Sequence, residues 1–532
     1  MNSMVLTGIG GEYELSKALR EKMVLLMDGT IYVNENYKND IDVLNKITFF
    51  CNINDETGDL LTTRDKIKYT IPEVIRGFYE EDSANAFSDG ASQMQREIIN
   101  LIQIAHQKNA SDIHIELNAS STFIMFRILG DLVLYKTLTY DSGNLMCTTL
   151  YNTMTTTSGT NFNSRVQQDA NIQEAFLPKE LSGIRVATGP TQGENYFIVL
   201  RLLPKGANST LEDIGYSKFQ LKYIRDFKAV RNGGIVIFSG PTGSGKSTSL
   251  QAMNKETLKE YKGRINLISI EDPVEYPIVV EDVVEGKKVF YSARQIAVPS
   301  TQDKELRKQY FNNAVVAAMR QDPDVIMIGE IRDPITAEAA ITASITGHPV
   351  ASTVHASNAI MIIDRLITIG ANRKLLLAPG TLSGLISQQL VPILCPKCKK
   401  SLISNLPDLE KNNKALVTRL LQAFDNDLTN IFIRGKGCNY YDSQTKQSCI
   451  YGHIDRTVVA EIVVPDEMFL QYLRQDDLFN ASKYWLEEQK GVTMMCHGLA
   501  KVKSGLIDPR ALEAKLKLIT PQKNLDRCLN DY

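Results

Sequence analysis

Short apolar runs, separated by stretches of helical periodicity, dominate the chain after residue 230. The runs at 234–239, 265–270, 325–328 and 350–354 are rich in Ile and Val, and turn-forming or acidic residues bound them. Such runs are typical of strands that are buried on both faces of a sheet. The alternation of these runs with helical patterns predicts a mostly parallel sheet flanked by helices. Within it, Asp333 and Pro334 are expected to start a helix that ends at Gly347.

The region before residue 205 has a different pattern. Residues 94–107 have the periodicity of an amphipathic helix, and the segments 111–116 and 123–128 then alternate or run apolar like strands. These features predict a second α/β unit that ends near Leu203. The polar segment Glu80–Gly90 is interpreted as a linker between this unit and the N-terminal residues.

A glycine-rich sequence directly follows the apolar run at 234–239. A buried strand that feeds such a turn and then a helix makes consecutive backbone N–H groups and the helix N-terminus face one anion. We expect Lys246 to reach the β- and γ-phosphates and Ser247 to ligate Mg²⁺. The sequence therefore predicts a nucleoside triphosphate site. Its predicted contacts are Gly240, Pro241, Thr242, Gly243, Ser244, Gly245, Lys246, Ser247 and Thr248.

Carboxylates follow two of the predicted strands. Glu330 ends one apolar run, and Glu271 and Glu275 follow another. Because the carboxyl ends of parallel strands meet at one edge of a sheet, an acid there can organise Mg²⁺ or orient the attacking water. Glu330 is our first choice for the catalytic acid, and Lys246, Glu271 and Glu275 complete the predicted catalytic set. Helix capping or a solvated strand end is the alternative role for each acid.

Several motifs, in a consistent order between residues 92 and 520, resemble a known family. They lie at 110–116, 126–130, 165–169, 185–194, 199–203, 270–275, 320–333 and 346–355. The last three are similar to the aspartate box, the Walker B region and the histidine box of the secretion ATPases of type II secretion and type IV pilus assembly. That superfamily of hexameric motors also includes pilus retraction and conjugation ATPases.

The resemblance implies an α/β fold in which a RecA-like P-loop motor domain follows a PAS-like α/β domain and carries a small zinc-binding lobe and C-terminal helices. The expected domains are a variable N-terminal domain for partner docking at 1–90, the PAS-like domain at 91–205, the RecA-like ATPase domain at 206–390, the tetracysteine lobe at 391–460 and a C-terminal helical segment at 461–532.

The resemblance also implies roles for basic residues. In the family the nucleotide lies between the two α/β domains, so Arg127, Arg185 and Arg201 are expected to approach its phosphates when the domains close. A fixed guanidinium suits the charge that develops on a transferred phosphoryl group. A salt bridge within its own domain is the alternative for each arginine. His348 and His355 resemble the histidine-box pair that senses the nucleotide or an adjacent subunit, with a purely structural histidine as the alternative.

Four of the eight cysteines form a candidate metal site. Cys395 and Cys398 have the spacing of metal ligands, and Cys438 and Cys449 supply a second pair that can close a tetrahedral Zn²⁺ site. In the family the second pair is usually separated by two residues, whereas ten residues separate it here. Free buried thiols are the alternative, and His453 is a minor candidate for one ligand.

Composition narrows the functional class. The 59 Lys and Arg residues nearly balance the 61 Asp and Glu residues, so no global positive field attracts nucleic acid. Neither a signal pattern nor an apolar stretch of about 18 residues is present, which favours the cytoplasm. The long chain and the cysteine element argue against a retraction motor, which is typically shorter and lacks both.

We therefore expect a cytoplasmic homohexamer that binds ATP, Mg²⁺ and Zn²⁺ and powers type IV pilus assembly, of the type IVb kind, through an inner-membrane platform protein. A further assembly protein of the cytoplasmic membrane is a second expected partner, and no stable nucleic-acid partner is expected. A type II secretion ATPase is the alternative. A DNA translocase or conjugation ATPase is the alternative from a different class, and a catalytically weak scaffold is opposed by the intact Lys246, Ser247 and Glu330.

Overall fold

The computed structural model divides the chain into two compact units, Met1–Lys205 and Gly206–Tyr532. It describes residues 5–7, 13, 15–26, 28–53, 60–72, 74–75, 78, 93–156, 161–193, 195–204, 210–229, 233–272, 274, 276–284, 286–298, 304–442 and 447–531. The interpreted linker Glu80–Gly90 and the candidate acid Glu275 lie outside these residues.

The first unit begins with a small three-stranded sheet. Its elements are α1 (Lys17–Arg20), β1 (Met23–Leu25), β2 (Ile31–Asn34), α2 (Ile41–Phe50) and β3 (Ile67–Thr70). β1 pairs antiparallel with β2, and β2 pairs in parallel with β3. Val43, Ile47 and Phe50 on one face of α2 form the core with the sheet, because residues three or four apart lie on the same side of a helix.

A seven-stranded antiparallel sheet forms the rest of the first unit. Its elements are α3 (Gln93–Gln107), β4 (Ala110–Leu117), β5 (Ser121–Ile128), β6 (Asp131–Thr139), α4 (Tyr140–Met154), β7 (Thr155–Thr156), β8 (Gln168–Ile172), β9 (Leu181–Pro190) and β10 (Tyr196–Pro204). The strand order is β6-β5-β4-β10-β9-β8-β7. Residues of β5 alternate between buried and half-buried, as expected for a sheet that packs helices on one face. The predicted helix and the two predicted strands of this region are confirmed.

The second unit begins with a helical pair and continues through alternating strands and helices. These elements are α5 (Leu211–Ile214), α6 (Lys218–Ala229), β11 (Ile235–Ser239), α7 (Lys246–Glu260), β12 (Leu267–Glu271), β13 (Val279–Val284), β14 (Lys287–Ser292), β15 (Arg294–Ala297), α8 (Lys304–Ala318), β16 (Val325–Ile328), α9 (Pro334–Ile345), β17 (Val350–Val354), α10 (Met361–Ile369), α11 (Arg373–Leu376) and β18 (Leu382–Leu394). β13 and β14 form a hairpin of their own.

The C-terminal part of the second unit contains short hairpins, one long strand and a helical cluster. Its elements are β19 (Lys400–Ser401), α12 (Leu406–Ala423), β20 (Phe432–Ile433), β21 (Tyr441–Asp442), β22 (Gln447–Ser448), β23 (His453–Val463), α13 (Glu467–Arg474), α14 (Leu478–Glu487), α15 (Met494–Lys503), α16 (Pro509–Lys515) and α17 (Leu525–Leu529). Leu416 and Leu420 of α12 share one hydrophobic core with Leu499 and Leu512 of the last helices. Within the described part of the chain, no helix combines the length and apolar character needed to cross a bilayer.

The central sheet of the second unit has the strand order β15-β12-β16-β17-β11-β18-β23. Every neighbouring pair is parallel except β18 with β23. Successive residues of β11 enter different cores, since Ile235 and Ile237 face one layer whereas Val236 and Phe238 face the other. Coverage of both faces explains why the strands are continuous apolar runs. The predicted mostly parallel sheet flanked by helices is confirmed.

The predicted start of α9 is also confirmed. The side chain of Asp333 accepts hydrogen bonds from the backbone N–H groups of Ile335 and Thr336, and Pro334 is the first helical residue. Gly347 follows the helix with a φ of 96°. This cap fixes the direction in which the chain leaves Glu330 and returns to β17.

Candidate functional site

Three glycines with positive φ shape the loop between β11 and α7. The φ angles of Gly240, Gly243 and Gly245 are 142°, 77° and 83°. A Cβ atom on Gly240 would lie 2.3 Å from the backbone oxygen of Gln388. Only glycine satisfies both the backbone angle and the close approach at this position. The tight loop therefore leads directly into the first turn of α7. A loop and helix start of this geometry bind polyphosphate through backbone N–H groups.

The side chain of Lys246 lies along this loop and is 9% exposed. Its Nζ donates hydrogen bonds to the carbonyl oxygens of Gly240, at 2.8 Å, and Pro241, at 3.1 Å. Ser247 follows it in the first turn of α7. The structure therefore brings together the predicted phosphate-binding residues, and the hydroxyl of Ser247 would hold Mg²⁺ beside a bound triphosphate.

His355 connects the phosphate loop to the predicted catalytic acid. Its Nδ1 is 3.1 Å from the carbonyl oxygen of Gly240, and its Nε2 is 3.5 Å from Oε1 of Glu330. These contacts arise because β17 lies between β16 and β11, so His355 and Glu330 both follow the carboxyl ends of strands near the loop. Both neighbours are hydrogen-bond acceptors, so a neutral imidazole can donate to only one of them at a time.

Glu330 is held from a second side. Its Oε2 accepts a hydrogen bond from Nε of Arg332 at 2.9 Å, and its side chain is 21% exposed. The backbone before it is fixed by the hydroxyl of Thr353, which donates to the carbonyl oxygen of Gly329 at 2.7 Å. The carboxylate is thus oriented but still accessible, as a residue that organises water or a metal ion must be.

The second acidic group lies one strand further from the loop. Glu271 ends β12 and is 5% exposed, and its Oε1 accepts hydrogen bonds from Ser269 at 2.8 Å and from Gln295 at 2.9 Å. Asp272 forms a salt bridge of 2.7 Å with Arg307. The sequence analysis did not predict a role for Arg307, because this arginine lies outside the recognised motifs.

His348 does not lie beside the phosphate loop. His348 precedes β17, whereas His355 follows it. The two histidines therefore lie at opposite ends of this strand. The Nδ1 of His348 is 3.2 Å from the hydroxyl of Thr346 at the end of α9. The histidine-box pair thus has one member at the nucleotide site and one at the other end of the same strand.

Gln388 and Tyr216 are components of the site that sequence reasoning missed. The amide Nε2 of Gln388 donates to the carbonyl oxygen of Ser244 at 2.8 Å, and its Oε1 accepts from the hydroxyl of Tyr216 at 2.5 Å. That hydroxyl also contacts Oγ of Ser249 at 2.9 Å, and burial raises the pKa of Tyr216. The adjacent amides Gln388 and Gln389, within a strand of mainly apolar residues, are the signal that could have identified this support, since buried polar groups need partners.

The three candidate arginines lie on neighbouring strands of the first unit. Cross-strand pairing aligns Arg127 with Asp112, Asp112 with Arg201, and Arg201 with Arg185. Nε of Arg201 is 3.0 Å from Oδ1 of Asp112, and Nε of Arg127 is 3.9 Å from Oδ2. Two of the arginines therefore form the intradomain salt bridges that the sequence left open as the alternative.

The four candidate metal ligands come together. The Sγ atoms of Cys395, Cys398, Cys438 and Cys449 all lie within 4.8 Å of one another. The Cys395–Cys438 and Cys398–Cys449 sulfur distances are 3.7 and 3.8 Å, far longer than a disulfide bond of about 2.05 Å. A tetrahedral site with Zn–S bonds of about 2.3 Å separates its sulfurs by about 3.8 Å. These residues fit Zn²⁺, and among the described residues His453 is not part of the cluster.

Two sequences of known proteins are similar to this chain. The type II secretion system protein E of Pseudomonas aeruginosa is 36% identical over 299 residues, which cover 56% of this chain and 54% of that protein. The type IV pilus assembly ATPase of Acinetobacter baylyi is 33% identical over 302 residues, covering 56% of this chain and 47% of that protein. The chain thus spans about half the length of these two relatives.

A solved structure has a similar fold. The ATPase DotB of Legionella pneumophila superposes with a TM-score of 0.52 at 20% identity, covering 80% of this chain and 97% of that one. The family described as type II/IV secretion system protein matches residues 88–516. That match contains the antiparallel sheet, the phosphate loop, Glu330, His355 and the four cysteines, and the chain therefore belongs to the type II/IV secretion system protein family.

Proposed function

We propose that the chain is a magnesium-dependent ATP hydrolase that converts hydrolysis into mechanical work. The observation that carries this proposal is the connection of the phosphate loop to Glu330 through His355. A change at the γ-phosphate alters the hydrogen bonding of Glu330, and His355 passes that change to the loop. Differential contacts of this kind are what a nucleotide-driven conformational motor requires.

Each residue of the proposed site has a chemical role. Lys246 supplies a point charge at the β- and γ-phosphates, Ser247 is a ligand of Mg²⁺, and Glu330 orients the attacking water. Glu271 and Glu275 are the proposed secondary acids. A bound Mg²⁺ supplies charge neutralisation at the phosphate oxygens.

The proposal extends to the arginines of the first unit. Arg127, Arg185 and Arg201 contact the phosphates in the closed state and stabilise the charge of the transition state. His348 acts as a sensor of an adjacent subunit, since it lies apart from the loop.

The work that we propose is type IV pilus assembly by a cytoplasmic homohexamer bound to an inner-membrane platform protein. The similarity to a type IV pilus assembly ATPase supports this reading. The similarity to type II secretion system protein E supports the alternative that the chain powers type II secretion. In either system the cysteine cluster would hold Zn²⁺ and stabilise the lobe that carries it.

The site assignment is tested by Lys246→Ala and Glu330→Gln in the full chain. Lys246→Ala should lower both ATP binding and turnover, the latter by about 10²–10³-fold, because it removes the charge nearest the transferred phosphate. Glu330→Gln should lower turnover similarly but keep ATP affinity within a few-fold, because the isostere keeps the shape. A fluorescent ATP analogue measures affinity, and phosphate release measures turnover.

The matched controls are Lys259→Ala and Glu338→Gln, exposed residues of α7 and α9. Turnover near the wild-type rate in Lys246→Ala would contradict the site assignment. Equal losses of affinity and turnover in Glu330→Gln would make Glu330 a binding residue. To separate the cellular roles, turnover is measured with the co-purified pilus platform protein, the type II secretion platform protein or single-stranded DNA. Stimulation by the pilus platform alone supports the pilus proposal, and stimulation by DNA overturns the pilus proposal in favour of a DNA translocase.

A further inference from the structure

One row of the antiparallel sheet holds three arginines and a single aspartate. Arg127 on β5, Asp112 on β4, Arg201 on β10 and Arg185 on β9 are consecutive cross-strand partners. Directly opposed residues on adjacent strands have side chains on the same face and within reach of one another. The row therefore aligns three guanidinium groups with a single carboxylate, and two of them, Arg127 and Arg201, contact it.

Asp112 is the most enclosed member of this row. Its side chain is 7% exposed, whereas those of Arg127 and Arg201 are 35% and 48% exposed. Its Oδ1 accepts the hydrogen bond from Nε of Arg201, and its Oδ2 accepts from the hydroxyl of Ser111 at 2.8 Å. The neighbouring Ser111 on the same strand therefore helps to orient the carboxylate that contacts the arginines.

Asp112 holds both arginines through Nε rather than through their terminal nitrogens. A terminal nitrogen of Arg127 donates to the carbonyl oxygen of Gly130 at 3.0 Å. Among the described residues, the terminal nitrogens of Arg201 make no hydrogen bond. A guanidinium held at Nε keeps its two terminal nitrogens in a fixed direction, which is the pair that binds a tetrahedral anion in fork geometry.

We propose that Asp112 is a positioning residue that holds the Arg201 guanidinium, and to a smaller degree that of Arg127, in the orientation that receives the γ-phosphate. This inference rests on the proposed role of the arginines. Asp112 itself does not contact the nucleotide, because a carboxylate would repel it. Its contribution is preorganisation, since an arginine that is already oriented loses less rotamer freedom when the transition state forms.

The test is a double-mutant cycle in the full chain with Asp112→Asn, Arg201→Ala and the combined variant. Asn has the shape of Asp but lacks the charge that binds Nε. Asp112→Asn should lower kcat and kcat/KM together by about tenfold and leave KM for ATP within twofold, because the lost interaction belongs to the transition state. In the Arg201→Ala background the same substitution should change kcat by less than twofold, because the group through which Asp112 acts is already absent.

Controls separate positioning from folding. Asp131→Asn removes an exposed carboxylate at the start of β6 and should leave kcat unchanged. Thermal unfolding of each variant reports stability, and if Asp112→Asn does not fold, Asp112→Ser is carried through the same cycle. Near-normal kcat in Arg201→Ala would overturn the arginine role in the proposed function. Reduced kcat in Arg201→Ala together with a normal Asp112→Asn, or with multiplicative losses in the combined variant, would overturn the positioning role of Asp112 alone.

Discussion

Replacement of Gln388 by Leu should loosen the phosphate loop without disturbing the sheet. Gln388 is fully buried on β18, and its amide joins the carbonyl oxygen of Ser244 to the hydroxyl of Tyr216. Leu has a similar size and suits an apolar strand, so it removes the two hydrogen bonds without opening a large cavity. The hydroxyl of Tyr216 keeps its contact with Ser249. The carbonyl of Ser244 loses its amide donor.

The size of the effect follows from that lost donor. Leaving a buried acceptor without its partner costs about 1–3 kcal/mol. If the cost falls on local opening of the loop, the exchange rate of its protected amides rises about 5- to 150-fold, since 1.4 kcal/mol is a factor of ten. The same loosening should raise KM for ATP, because binding must then order the loop.

Hydrogen exchange measured by mass spectrometry on the peptide 239–250 reports this change directly. A single free energy of unfolding is unsuitable for a chain with two compact units. The matched control is Gln389→Leu, because this neighbouring side chain is half-buried and, within the described part of the chain, makes a single long hydrogen bond, of 3.4 Å, to the carbonyl of Lys515. Equal exchange of the 239–250 peptide in the two variants would refute the support role of Gln388.

The remaining predictions concern the metal and the pH dependence of stability. Elemental analysis of freshly purified, reduced protein should find about one Zn²⁺ per chain. The substitution Cys398→Ser should release the metal and expose residues 395–449 to proteolysis. The control substitution Cys51→Ser should do neither. Burial is the main reason that the pKa of His497 lies well below its usual value, and the charge of Lys501 lowers this pKa further. The stability linked to His497 is therefore present above about pH 6.5 and is lost as the pH falls towards the folded pKa, by up to about 1.4 kcal/mol per pH unit. The midpoint of the thermal transition that unfolds the unit Gly206–Tyr532 should fall between pH 7 and pH 5 by more in the wild type than in His497→Gln, which keeps an acceptor for the N–H of Ala460.

The phosphate loop, the sheet and the candidate acid could be predicted because their signals are local. The loop needs glycine at positions 240, 243 and 245 because the backbone there has positive φ angles, and it needs Lys246 because the bound anion requires a positive charge. Strands that are covered on both faces are continuous apolar runs, which the sequence shows directly. The start of α9 at Asp333 and Pro334 is equally local, because capping involves residues only a few positions apart. The metal site could be predicted because cysteine pairs are typical metal ligands, although the ten residues between Cys438 and Cys449 are an unusual spacing.

Contacts between distant residues were decided only by the tertiary structure. Gln388 meets Ser244 across 144 residues, and Arg201 meets Asp112 across 89, so no periodicity or spacing connects them. The two histidines of the histidine box are seven positions apart, yet the strand between them carries one to the phosphate loop and leaves the other at the opposite edge of the sheet. The sequence by itself determined which chemistry each segment carries and where its strands and helices begin. Which side chains orient that chemistry depended on strand order and register, because β-sheet neighbours are set by packing of the whole chain and not by local conformational preference.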